Sequence, residues 1–286
     1  MSIKSNFPAI RPTLLLDFAN SRIVDPRITL TRASSATRVN ERGVLESVAA
    51  GVPRIDFDPV TGECRGLLIE ESRTNLLMYS DQIENAGWAI GPNTVFAIEG
   101  TSPINGVSPY YSMRSNGTAG NLFVSRTFTA PTSGDYALTA WVMTNDATLA
   151  ASAMRLMSIN VEGDNTRYIT FAQAGLTVGQ LKRVAFKFSA PAGATVAFNF
   201  GYDFSTNTDA KLYFCHPQIE AGAFPTSYIP TAGAAATRAA DVALMTGGNF
   251  SSWYRQDEGT LFIQNTDAAL LATGVNKFSI ANADST

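Results

Sequence analysis

The chain has 286 residues, 45% of them apolar and 16% charged, the balance of a packed globular protein rather than of a disordered one. Lys plus Arg is 21 against 24 Asp plus Glu, a net charge of −3, which provides no general attraction to nucleic acid or anionic lipid. Two cysteines, Cys64 and Cys215, are too few for a disulfide framework and too far apart for a zinc motif, so both are expected as buried free thiols.

The N-terminal stretch has only the short apolar run Leu14–Leu16 before Asp17, too short for a signal peptide or a membrane span. The expectation is a protein made in a cytoplasm and not inserted in a membrane. Residues 1–65 carry closely spaced turn signals at Asp25-Pro26, Asn40 to Gly43, Gly51 to Pro53 and Asp58 to Gly62. These divide short extendable runs into two hairpins. Arg22, Arg27, Arg32, Arg38, Arg42 and Arg54 read as solvated strand faces with local partners in Asp25, Glu41, Glu46 and Asp56. With few large apolar residues, the region is expected to lean on another domain or subunit, as an attachment or oligomerisation element.

The stretch from Gly66 to Trp88 joins this region to a long series of strands. In 66–222, alternation puts Val184, Phe186 and Phe188 on one face, and likewise Val196, Phe198, Phe200 and Tyr202. Tyr136, Leu138, Ala140 and Val142 share a core face, opposite Thr139, Trp141 and Met143. Turn clusters separate these runs and helical periodicity is nearly absent, so the fold is predicted to be all-β: an antiparallel jelly-roll β-sandwich. Residues 223–248, with Pro225, Pro230 and the run Ala234 to Ala236, read as a small-residue linker. Residues 249–286 read as a short C-terminal β segment, with strands at Gly259–Asn265 and Lys277–Ala281.

The reactive inventory is thin. His216 is the only histidine, and strand alternation directs it away from the adjacent Cys215, which argues against a nucleophile and base pair. No phosphate loop or metalloprotease motif is present. Sugar binding needs an aromatic face and a few amides or carboxylates. Trp141, opposite the core in its strand, is the first candidate, followed by Tyr110, Tyr111, Asn199 and Asp203.

Two stretches, Gly66 to Trp88 and Pro217 to Asp241, together resemble the paired flanks that recur around a jelly-roll module in tailed-bacteriophage fibre, spike and head-fibre proteins. The resemblance extends to TRASSATRVN at Thr31 to Asn40 and NFSSWY at Asn249 to Tyr254. It implies a non-enzymatic virion protein, trimeric and attached to other virion proteins, whose sandwich is similar to carbohydrate-binding modules and contacts host-surface polysaccharide. It further implies a partial lectin-like domain after Trp253, and a structural calcium with Asp81, Glu84 and Asp209 as oxygen donors. The rival expectations are a capsid decoration or fibre adaptor without ligand, and a polysaccharide depolymerase.

Overall fold

The computed structural model describes residues 12–85, 87–201, 206–261 and 263. Among these, 7% are helical and 41% are in strands. The N-terminal part holds β1 (Thr29–Thr31), β2 (Ala36–Val39), β3 (Leu45–Val48), β4 (Ile55–Phe57), β5 (Cys64–Leu67) and β6 (Arg73–Asn75). β2 and β3 pair across the Asn40 to Gly43 turn, and β4 and β5 across the Asp58 to Gly62 turn. In each turn an Asx side chain accepts backbone amides, Asn40 from Arg42 and Val44, Asp58 from Val60 and Thr61, which is why these residue types close the hairpins.

The sandwich follows: β7 (Ala89–Ile90), β8 (Thr94–Thr101), β9 (Pro109–Ser115), β10 (Val124–Thr129), β11 (Gly134–Thr144), β12 (Arg155–Val161), β13 (Asp164–Thr170), β14 (Lys182–Ala190), β15 (Thr195–Phe200) and β16 (Leu212–Ala221). They form two five-stranded antiparallel sheets, ordered β13-β12-β15-β10-β7 and β14-β11-β16-β9-β8. The fold is the all-β sandwich that the alternation predicts. Inward residues of the two sheets meet as aromatic pairs, Phe200 on Phe214 at 4.2 Å between centroids and Phe128 on Tyr136 at 6.3 Å. Trp88 packs edge-on to Phe198 at 6.1 Å. Such rings contribute both apolar area and directional contacts to the core.

After the sandwich, β17 (Ala236–Arg238) and β18 (Val242–Leu244) correct the reading of 223–248 as a linker. β17 pairs with β6 and β18 with β1, and Tyr228, Ile229, Thr231, Arg238 and Asp241 are buried. The chain is extended here, as Pro225 and Pro230 require, but it is a strap bonded to the N-terminal part. The two flanks that stand out in sequence therefore touch. Asn75 donates to the Ile229 carbonyl at 2.8 Å and accepts from the Ile219 amide at 3.2 Å, and the Glu70 carboxylate takes both the amide and hydroxyl of Ser227 at 2.6 Å. Gly259–Leu261 and Ile263 are not in strands; the rest of Gly259–Asn265 and all of Lys277–Ala281 lie outside the described residues.

The arginine reading holds for Arg27 with Asp25, Arg38 with Glu46 and Arg22 with Glu41, and fails for two others. Arg32 and Arg54 have side chains at 0% exposure. Asp241 bridges them at 2.8 and 2.5 Å, and Arg54 also meets Glu70 at 2.9 Å. Arg238 lies 3.5 Å from Glu70. A buried ionic cluster thus locks β4, the β5–β6 connection and the strap, where sequence alone suggested solvated charges.

Two expectations follow. Circular dichroism should give a β-dominated spectrum with helix well below about a fifth of residues, against the usual third. Asp241→Ala should destabilise the protein by about 3–5 kcal/mol in denaturant unfolding, because it leaves two buried guanidinium groups without their shared anion; a loss below about 1 kcal/mol would show that the cluster is not held dry.

Candidate functional site

Alternation in the second sheet gives its outer face Val95, Ala97 and Glu99 from β8, Tyr110, Ser112 and Arg114 from β9, Tyr213 and Cys215 from β16 with Lys211 just before it, and Thr139, Trp141 and Met143 from β11. Register places Ala97, Ser112, Tyr213 and Met143 in one row. The face divides into a roofed half and an open half.

Trp141 lies in the roofed half, which corrects its role as a sugar platform. It does face away from the main core, as its alternation implies, but it is 2% exposed, in a second apolar cluster with Leu45, Ile104, Cys215 and Tyr228. The Arg183 guanidinium lies 4.8 Å from its ring centroid and Tyr228 meets it edge-on at 6.2 Å. The N-terminal hairpin and the strap are the cover, and no local sequence signal announces a cover contributed by residues about 90 positions away in either direction.

His216 and Cys215 are a second correction. The β11–β16 register shifts between Thr139 and Trp141, and His216 takes a left-handed backbone at φ 51°, a β-bulge that breaks alternation. Both side chains then reach Ser102: His216 Nε2 is 3.1 Å and Cys215 Sγ 3.5 Å from its Oγ. His216 Nδ1 is 2.7 Å from Asp81, which also accepts the Tyr228 hydroxyl at 2.6 Å. Acid, imidazole and hydroxyl are in the order used for nucleophilic catalysis. Yet Ser102 is 0% exposed and its Oγ accepts the Ile104 amide, so no substrate carbonyl reaches it, and the constellation acts as a polar bolt between three segments. Cys64 and Cys215 are both free thiols, Cys215 buried and Cys64 half-buried rather than fully buried.

The other candidates do not converge. Tyr111 faces the core at 0% exposure, stacked on Phe96 at 5.4 Å, with its hydroxyl on Glu84, so it cannot meet a ligand. Asn199 lies on the outer face of the opposite sheet, beside Ser158 at 3.4 Å. Asp203 lies outside the described residues. The calcium set does not fit: Asp81 is committed to His216 and Tyr228, Glu84 to Tyr111, and Asp209 closes a turn through its amide on Asn207 and its carbonyl on Asn145. No group of three or more His, Cys, Asp or Glu among the described residues could hold a metal ion.

Tyr110 borders the open half, half-buried against the roofed cluster. It stacks on Tyr213 at 6.1 Å, both rings half-buried, and neither phenol oxygen is hydrogen-bonded among the described residues. Lys211 lies 5.6 Å from the Tyr213 ring and 2.8 Å from Glu99, which also accepts Ser112 at 2.5 Å. The hydrogen bonds from Lys211 and Ser112 hold Glu99 below the usual carboxylate range and Glu99 raises Lys211. Burial, then the Glu99 charge, raises Tyr110. At neutral pH the ledge thus sets the neutral Tyr110 phenol and the Tyr213 ring beside a compensated ion pair. Tyr213 and Lys211 were missed in sequence because β16 was not read as a strand on this face, although Lys211, Tyr213 and Cys215 alternate with Leu212 and Phe214.

No protein-family model matches the chain. No curated protein matches it either. Solved structures align with about half of the chain. A family 35 carbohydrate-binding module from Clostridium thermocellum aligns with a TM-score of 0.31 and 17% identity over 50% of this chain and 98% of its own. The CBM22-1 xylan-binding domain from Paenibacillus barcinonensis aligns at 0.32 and 13%, over 53% and 93%. The enzymatically active domain of a tailspike protein of bacteriophage CBA120 aligns at 0.36 and 16%, over 51% of this chain and 21% of that one. Each alignment spans about half of this chain.

The histidine bolt makes a pH prediction. Burial acts to lower the His216 pKa, but hydrogen bonds and charge from Asp81 and Cys215 outweigh it and lift the value to about 9. A folded pKa above the unfolded one of 6.5 stabilises fully below that value and is lost as pH rises through about 9. The melting temperature should therefore fall between pH 7 and pH 10, and His216→Gln should flatten that slope; an unchanged slope in the variant would assign the pH dependence elsewhere.

Proposed function

We propose that this chain is a non-enzymatic fibre or spike component of a tailed-phage virion, made in the bacterial cytoplasm, whose sandwich contacts host-surface glycan at the Tyr110–Tyr213 ledge. The observation that carries the glycan contact is that pair: two stacked rings on an open sheet face, hydroxyls unbonded, with Lys211 and Glu99 alongside. Sugar rings stack their C–H faces on aromatic rings, and their hydroxyls exchange hydrogen bonds with phenols, ammonium and carboxylate. The virion assignment rests on the sequence resemblance of the two flanks. Adhesion would come from many copies engaging one surface, with avidity in place of tight single-site affinity.

The alternative of a ligand-free adaptor draws on one observation, that the chain covers its own Trp141 face. A glycan array with purified protein separates the two readings. Binding is expected, and Tyr213→Ala should weaken it by about 1–2 kcal/mol, roughly five- to thirtyfold, with the melting temperature kept because Tyr213 lies outside the main core cluster. Absence of binding to every glycan in the wild type would favour the adaptor.

A further inference from the structure

The open half of the second sheet's outer face carries a cation that the Lys211–Glu99 pair does not account for. Register sets Phe214 against Tyr111, Tyr213 against Ser112 and Leu212 against Met113, which brings Lys211 level with Arg114; on its other side Arg114 faces Val95. Like charges opposite one another across strands destabilise a sheet. Lys211 leans away from Arg114, over the Tyr213 ring at 5.6 Å from its centroid, to meet Glu99 at 2.8 Å. Arg114 is half-buried and has no such partner. Its Nη1 donates two long hydrogen bonds, to the Ser115 carbonyl at 3.4 Å and the Thr208 carbonyl at 3.3 Å. Among the described residues no carboxylate pairs with it: Asp209, in the adjoining turn, pairs with neither cation, and Asp146 accepts the Leu149 amide at 2.6 Å. Two cations and one carboxylate leave this half of the face positive, in a chain whose net charge is −3.

We propose that the Tyr110–Tyr213 ledge takes an anionic sugar, one bearing a carboxylate or a phosphate ester, with the sugar ring on Tyr213 and the anionic group on Arg114. This rests on the glycan reading of the ledge and names the class of glycan that the ledge selects. Ser112 faces Tyr213, and Arg114 lies two residues further along the same strand. Such diagonal neighbours are about 7–8 Å apart, within reach of long side chains, so one sugar spans ring and guanidinium. The guanidinium is a planar fork whose parallel N–H donors match the paired oxygens of a carboxylate or phosphate. Both carbonyl contacts use Nη1, so the Nε and Nη2 edge of the fork has no protein acceptor among the described residues. An anion bound there offsets the repulsion between Arg114 and Lys211, which a neutral sugar leaves in place. Glu99, ionised and held by Lys211 and Ser112, repels an anion at the other end of the ledge and so sets which way round the sugar lies.

The test is a glycan array of acidic and neutral glycans read with the full chain, each retained glycan then being compared with its carboxyl-reduced and its dephosphorylated form. Retained glycans are expected to carry a carboxylate or a phosphate, and removing that group should weaken binding roughly tenfold. The treatment that does so tells one anion from the other. In Arg114→Gln, with the melting temperature kept, charged and treated forms should bind alike. Should that variant fail to fold, Val95→Glu, which sets a carboxylate opposite Arg114 in the register, should close the same gap. Retention of neutral glycans alone, or a preference for the charged form that survives both substitutions, overturns the anionic site and leaves the ledge a contact for neutral sugar. Binding to no glycan overturns the ledge reading and the anionic site together.

Discussion

Asp241 is a carboxylate at 0% side-chain exposure, and it survives burial because Arg32 and Arg54 approach its two oxygens from separate stretches of chain about 200 residues upstream. Removing an anion from water costs several kcal/mol unless its partners go with it. The same logic binds the partners: Arg54 also needs Glu70, and Arg238 needs its place beside both carboxylates. Among the described residues, the Nε atoms of Arg54 and Arg238 have no hydrogen-bond partner, so the cluster has no spare acceptor, and loss of any one member leaves a charge exposed to a dry interior. The strap therefore closes over the N-terminal hairpins as one unit with them.

That closure decides which surface the sandwich offers. Once the hairpin brings Leu45 and the strap brings Tyr228 onto the outer face of the second sheet, Trp141 becomes part of a small second core. What remains open on that face is the row from Ala97 to Tyr213 with Tyr110 beside it. The bulge at His216 belongs to the same arrangement. By turning Cys215 and His216 toward Ser102 and Asp81, it supplies polar contacts beneath the roof that an unbroken strand could not make. A non-glycine residue in the left-handed region is held there only by its surroundings, here an aspartate, a serine and two aromatic rings.

The sandwich itself was legible in the sequence because strand alternation is local: Val196, Phe198 and Phe200 face the core just as their spacing implies. Both N-terminal hairpins were legible because Asn40 and Asp58 carry turn chemistry in their own side chains. The buried arginines were not, since Arg32 and Arg38 look alike in sequence and differ only in whether a partner arrives from residue 241 or from residue 46. Trp141 shows the same limit. Its face was assigned correctly and its exposure was not, because alternation says which residues share a face and nothing about what covers that face. The calcium set failed for a related reason: Asp81 and Glu84 have hydrogen-bond partners from β9, β16 and the strap that only the fold supplies.

The roof over Trp141, held by the Asp241 cluster, is the central claim, and acrylamide quenching of Trp141 fluorescence tests it most directly. In a protein carrying Trp88→Phe and Trp253→Phe, Trp141 is the sole tryptophan. The account predicts an emission blue-shifted from that of free tryptophan and resistant to acrylamide, with quenching rising when Asp241→Ala is added in the still-folded protein. A Trp141 quenched as readily as free tryptophan in the parent would contradict it, and would return that residue to the open face.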